Sequence, residues 1–429
     1  MIKVFIAALL IGTTVSTTAQ DLQFITADVD NFWHAYDRIN ATSDSLQRRK
    51  ILKEQYLDKG TAGLQSLLQV RNYTEDEYLN MIAGYPRFWK SLRGNTLNVK
   101  REFPAIEEDL SKLRRLYPSL KPATIYFSMG AFRTNGTIHQ DRVLIGCELA
   151  LADEFTIIDE HPDFRQGFYR NSKPRQNLAL LCTHEYVHTQ QLAPANSLLA
   201  NCLYEGAAEF ISCLATGKKS YVPAMDFGAA NHLRVFAKFE QDIFFNRRGD
   251  WLWGENLNEL KERDLGYYVG YKICERFYEQ STDKQEAIRQ LIELNYGNQE
   301  EVERFADATK LFTASVSEMR KAYDKKRPTV TGVTPLTNDA KIKGGVIELA
   351  INFSEEMDTN FRGFDYGPLG EDHVYKFRKL IGWSNNNRTL TLEVEVAPNR
   401  KYQTYITSTF RNKEGIRLVP FLIQFETEK

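Results

Sequence analysis

The 429 residues exceed the usual span of one hydrophobic core, so two or three domains are expected. Hydrophobic residues at 42% and charged residues at 26% exclude a disordered, collagen-like or coiled-coil chain. Lys and Arg (55) almost cancel Asp and Glu (56), leaving a formal net charge of -1 and no long block of one sign that could track a phosphate backbone, so no nucleic-acid partner is expected.

The chain opens with Lys3, an apolar run from Val4 to Val15, and the small residues Thr17-Thr18-Ala19, the pattern of a secretory signal peptide over residues 1–19. An exported protein, periplasmic or secreted, is predicted. No later run approaches the roughly 18 apolar residues that a span requires, so the mature chain is expected to carry no membrane span. No Cys near the expected cleavage point offers a lipid attachment. The five cysteines, Cys147, Cys182, Cys202, Cys213 and Cys274, are odd in number, which leaves at least one thiol unpaired within a monomer.

Residues 20–117 show helical spacing, as in Asp30 to Arg38 and Ser45 to Tyr56. From Ala123 the pattern changes: Thr124-Ile125-Tyr126-Phe127 and Arg142-Val143-Leu144-Ile145-Gly146 read as neighbouring strands punctuated by Gly130 and Gly136. Helical spacing returns from about Arg175 to Thr216 and from Asp264 to Tyr323, which makes residues 21–327 an α+β unit with its sheet in the middle, of which 118–327 is the expected catalytic region. Beyond Pro328 come short β-branched runs, Val346 to Phe353, Thr389 to Val396 and Tyr402 to Thr407, so residues 328–429 are expected to form a β-sandwich.

The residues that carry chemistry begin at His184-Glu185-Tyr186-Val187-His188, an H-E-x-x-H motif. On a helix, residues four apart are about 40° from alignment, so both imidazoles reach one metal ion while Glu185 stands at the edge of the same face. The preceding Leu178-Ala179-Leu180-Leu181 predicts a buried helix, where an ionisable triplet is costly unless it is paired or ligating. Hydrolytic zinc takes three protein ligands and keeps one position open. Glu205, in Leu203-Tyr204-Glu205-Gly206-Ala207-Ala208-Glu209, is the candidate third ligand, and Glu209, one turn on, is placed to orient a ligating His. The exchanged assignment, Glu209 ligating and Glu205 supporting, stays open on spacing alone.

This pairing resembles the gluzincin zinc peptidases and, within them, a little-characterised bacterial family of predicted zinc-dependent proteases. The resemblance covers roughly residues 120 to 280. It implies a zincin-like fold, a Zn2+ cofactor and a peptide or protein substrate, with His184, His188 and Glu205 as ligands, Glu185 as general base and Glu209 in the supporting place. Tyr267, in Leu265-Gly266-Tyr267-Tyr268-Val269-Gly270, matches a tyrosine that gluzincin aminopeptidases aim at the scissile carbonyl; Tyr268 is the immediate alternative and His232 another possible donor. Glu148, at the end of the strand that precedes the motif helix, stands near the place where such enzymes have an edge strand and a glutamate that captures the substrate amine. Residues 350–358 and 401–405 resemble a bacterial immunoglobulin-like domain of exported proteins.

No phosphate-cradling loop, dinucleotide fingerprint or serine elbow competes. The predicted function is therefore an exported zinc peptidase. The alternative from another class is a metal-stapled, non-catalytic scaffold or binding protein of the cell envelope.

Overall fold

The computed structural model describes residues 22–245, 247–336 and 341–429. The expected signal peptide lies outside the described residues. The chain is mixed α and β and divides into two compact units. The first comprises Met1–Leu192, Ala207–Pro223 and Asp283–Glu293; the second comprises Ala193–Gly206, Ala224–Thr282 and Leu294–Lys429.

The first unit opens with a short strand, β1 (Gln23–Ile25), and six helices: α1 (Ala27–Asn40), α2 (Ser45–Leu52), α3 (Ala62–Arg71), α4 (Glu75–Gly84), α5 (Pro86–Leu97) and α6 (Phe103–Leu116). Local chemistry starts these helices. The Asp44 side chain accepts the first free amides of α2, Thr61 does the same for α3, Thr74 and Glu77 close a capping box on α4, and Pro86 stands at the first position of α5. Phe32 and Trp33 on α1, Trp89 on α5 and Ile106 on α6 are buried.

The two strands read in the sequence are β2 (Thr124–Ser128) and β4 (Arg142–Gly146), with β3 (Gly136–His139) between them in the chain. The sheet order is β1-β2-β4-β3, parallel except for the β3–β4 hairpin. The segment 20–117 therefore contributes a strand as well as helices; β1 is three residues long and too short to alternate visibly. A second correction concerns the edge. The strand leading to Glu148 is interior; the edges are β3 and β1. Val143, Leu144, Ile145 and Gly146 are all buried, as in a strand covered on both faces, whereas Thr137, Ile138 and His139 are half-buried.

A one-turn helix, α7 (Cys147–Ala150), and α8 (Asp163–Ser172) lead to α9 (Leu178–His188), which packs on α6, β3 and β4. After a short loop comes α10 (Leu198–Thr216). It is long and apolar enough for a membrane span by composition, yet 89% of that stretch is buried within the protein, where it carries Glu205 and Glu209.

The second unit continues with α11 (Pro223–Ala230), α12 (His232–Asp242) and α13 (Leu265–Gln280), then, after α14 (Lys284–Glu293) of the first unit, α15 (Gln299–Thr309) and α16 (Val316–Asp324). Its C-terminal part has two four-stranded sheets. One runs β5-β7-β10-β9 from β5 (Val330–Thr334), β7 (Gly345–Phe353), β9 (Lys376–Ser384) and β10 (Thr389–Val396); the other runs β6-β12-β11-β8 from β6 (Lys341–Ile342), β8 (Phe364–Tyr366), β11 (Lys401–Ile406) and β12 (Phe421–Thr427). Strand β10 alternates strictly, with Leu390, Leu392, Val394 and Val396 buried against Ile351, Ile423 and Phe425. All five cysteines are free and buried; Cys202 and Cys213 share α10, whose rise holds them too far apart to bond.

Candidate metal centre

Every residue of α9 is buried, so its two imidazoles and its carboxylate must find partners inside the protein. His184 and His188 lie edge to face on one side of the helix, with ring centroids 4.7 Å apart and their Nε2 atoms 3.1 Å apart. Their other nitrogens face polar neighbours. Nδ1 of His184 lies 2.9 Å from Oε2 of Glu209, and Nδ1 of His188 lies 2.7 Å from Oε1 of Gln191. The two Nε2 atoms face each other on the side of Glu205. One ligand atom from each of His184, His188 and Glu205 lies within 4.8 Å of the other two.

These residues fit a zinc ion. Two imidazole nitrogens 3.1 Å apart are close enough to share one cation, and Glu205 adds the negative charge that draws one in. Two imidazoles and one carboxylate are a donor set that suits zinc and leaves a fourth position open.

Glu185 is 8% exposed and lies over the first residue of β3. A Cβ on Gly136 would stand 2.7 Å from Oε1 of Glu185, so the carboxylate occupies space that only glycine leaves free. Next in the chain, the Asn135 side chain accepts the Gly136 amide at 3.0 Å and bonds to the phenol of Tyr221. Burial and the carboxylates of Glu209 and Glu185 hold that phenol well above its ordinary range.

Tyr267 and Tyr268 have separate partners. The Tyr267 hydroxyl donates to Glu205 and accepts the indole N–H of Trp253 at 3.1 Å. Burial, then the carboxylates of Glu205 and Asp264, push this phenol far up, so it remains a donor at neutral pH. Tyr268 bonds instead to Nδ1 of His232 at 2.8 Å, which occupies both of the alternative donors weighed beside Tyr267.

Glu148 is not a strand residue open to solvent. It sits in α7 with no exposed surface, and its two carboxylate oxygens accept the amides of Gly130 at 2.8 Å and Phe132 at 3.0 Å. Burial raises its pKa to about 7 against the lowering effect of those amides. A carboxylate so enclosed offers nothing to a substrate's amine; it holds the loop that leads into β3.

Sequence reading missed Gln191, Tyr221 and Trp253, and took Gly136 only as punctuation between strands. Gln191 follows His188 by three, a spacing that could have flagged it. The others are brought in by chain reversals that leave no periodic trace.

Residues 162–296 match the family described as "Predicted Zn-dependent protease (DUF2268)". That stretch contains the H-E-x-x-H motif, Glu205, Glu209 and Tyr267 and leaves out Glu148 and the C-terminal sheets. No curated protein matches this chain. A solved structure, the S-layer protein rSbsC(31-844), is 9% identical, with the likeness covering 94% of this chain, about half the length of that protein (45%), at a TM-score of 0.19. So slight a likeness supports nothing about fold or function.

Proposed function

We propose that the protein is an exported zinc peptidase of the gluzincin type, and that it hydrolyses peptide bonds. The observation that carries this reading is the convergence of one ligand atom each from His184, His188 and Glu205 within 4.8 Å of one another, with Glu209 beside the Nδ1 of His184 and Gln191 beside that of His188. The match to a predicted zinc protease family over residues 162–296 supports it.

His184, His188 and Glu205 would hold the ion. Bound there, zinc would supply Lewis acidity to a water and to the scissile carbonyl. Glu185 takes the proton of the attacking water and passes it to the leaving amine. Tyr267 donates to the carbonyl oxygen as negative charge develops on it, exchanging Glu205 for the substrate as its acceptor. Glu209 and Gln191 keep the imidazoles in the ligating tautomer.

In this reading the N-terminal helices (20–117) and the catalytic region (118–327) make up a zincin-like peptidase. The two C-terminal sheets (328–429) form an immunoglobulin-like β-sandwich, and residues 1–19 direct export to the periplasm or beyond. The test is zinc content per chain of the mature protein, followed by hydrolysis of a mixed peptide library by wild type and Glu185→Gln. One zinc per chain with cleavage abolished in the variant supports the proposal. Zinc without any cleavage by wild type gives the metal-stapled scaffold instead.

A further inference from the structure

Trp253 has a conformation that its surroundings do not explain as packing. Its φ is +59°, in the left-handed region that bulky residues seldom enter because Cβ crowds the backbone. Strain of this kind persists only where other groups hold it, and it concentrates at functional sites. Two bonds hold it here. The backbone N–H donates to Oδ1 of Asp264 at 2.7 Å, and the indole N–H donates to the Tyr267 hydroxyl at 3.1 Å. A tryptophan strained for the sake of a core would be buried, yet this one is 51% exposed. Neighbouring Trp251, by contrast, is fully buried.

The polar edge of the indole points at Tyr267, whose hydroxyl donates to Glu205. The exposed ring is thus two hydrogen bonds from a member of the His184–His188–Glu205 cluster. Arg248 lies over the ring with its guanidinium carbon 5.6 Å from the centroid, which leaves the indole braced by a cation as well.

We infer that the exposed face of Trp253 is the apolar wall of a substrate subsite, selecting peptides with a large apolar or aromatic side chain next to the scissile bond. This rests on the peptidase reading above. An indole face packs such side chains well and gains little from glycine or alanine, so discrimination of about 10- to 100-fold is expected from one apolar wall.

The variant that tests this is Trp253→Gly, because glycine suits φ +59° and removes the ring without adding strain. With the full mature protein, cleavage sites in a peptide library are compared for wild type and variant. Wild type should favour Phe, Tyr, Leu or Met at one position beside the cleaved bond. The variant should lose that preference at least 10-fold while keeping its zinc and its melting temperature. A preference that survives in Trp253→Gly, or a wild type with none, overturns the inference.

A second arm separates it from the peptidase reading. Zinc-loaded Glu185→Gln is titrated with hexapeptides that differ only by Phe or Gly at one position, with and without Trp253→Gly. Tighter binding of the Phe peptide that disappears with the indole upholds the subsite even if wild type cleaves nothing, in which case only the peptidase reading falls. Equal binding of both peptides sinks the subsite whatever the cleavage result.

Discussion

Gly206 and Gly270 touch backbone to backbone where α10 and α13 meet: a Cβ on Gly206 would overlap the carbonyl carbon of Gly270, and a Cβ on Gly270 would overlap the carbonyl oxygen of Cys202. This approach sets Glu205, one residue before the first glycine, against Tyr267, three residues before the second. Gly270→Ala must push the helices apart, so it should cost about 1–3 kcal/mol. Thermal unfolding of the variant should show a clear drop in midpoint; an unchanged midpoint would mean that the helices are not in backbone contact.

In the proposed site the two acids of α10 have different roles toward the metal. Glu205→Ala leaves two imidazoles on the ion and should lose most of the zinc, whereas Glu209→Ala removes only the acceptor behind His184 and should weaken affinity roughly 10- to 100-fold. Gln191→Leu should resemble Glu209→Ala, because Gln191 stands behind His188. Metal analysis after dialysis against a mild chelator ranks the three. A Glu205→Ala protein that keeps its zinc while Glu209→Ala is empty would exchange the two roles.

Gly136→Ala should leave zinc in place and reduce turnover. Its methyl would stand 2.7 Å from Oε1 of Glu185, so the carboxylate has to move from the place in which the proposed mechanism uses it. A displaced general base typically forfeits a factor of 10² or more, seen in kcat at unchanged metal content. Full activity in this variant would show that Glu185 reaches the reaction from elsewhere.

Glu148 predicts how stability responds to pH. Its carboxyl titrates near 7 in the folded protein against 4.5 in the open chain, so the folded state holds its proton more tightly. The resulting stabilisation is fully present below pH 4.5, falls as the pH rises, and is lost above about 7; its ceiling is on the order of 3 kcal/mol. Glu148→Gln removes the titration, and its melting temperature should decline less between pH 5 and 8 than that of wild type. Parallel declines would show that Glu148 does not hold a raised pKa.

Much of the site was legible because it lies in short, regular stretches. His184, Glu185 and His188 fall on one helix, and Glu205 and Glu209 on the next, where spacing alone fixes which side chains share a face. Strand β10 was legible for the same reason: its alternation spans Thr389 to Val396 in both readings.

Spacing could not tell which acid of α10 would join the imidazoles, since residues one turn apart share a face; the packing of α10 sets Glu209 behind His184 and Glu205 beside both rings. It could not choose between Tyr267 and Tyr268 either. Adjacent helical residues point about 100° apart, and which one meets Glu205 depends on where α13 crosses. Glu148 was misread because the strand stops at Gly146, and the chain turns inward to bury a carboxylate on loop amides. The sequence alone determined that His184 and His188 share one helix and Glu205 and Glu209 the next, and where the strands alternate, because these follow from local periodicity. Tertiary structure decided the edge strands, the glycine contacts and the partner of each phenol, because these arise between segments far apart in the chain, where no period links one residue to the next.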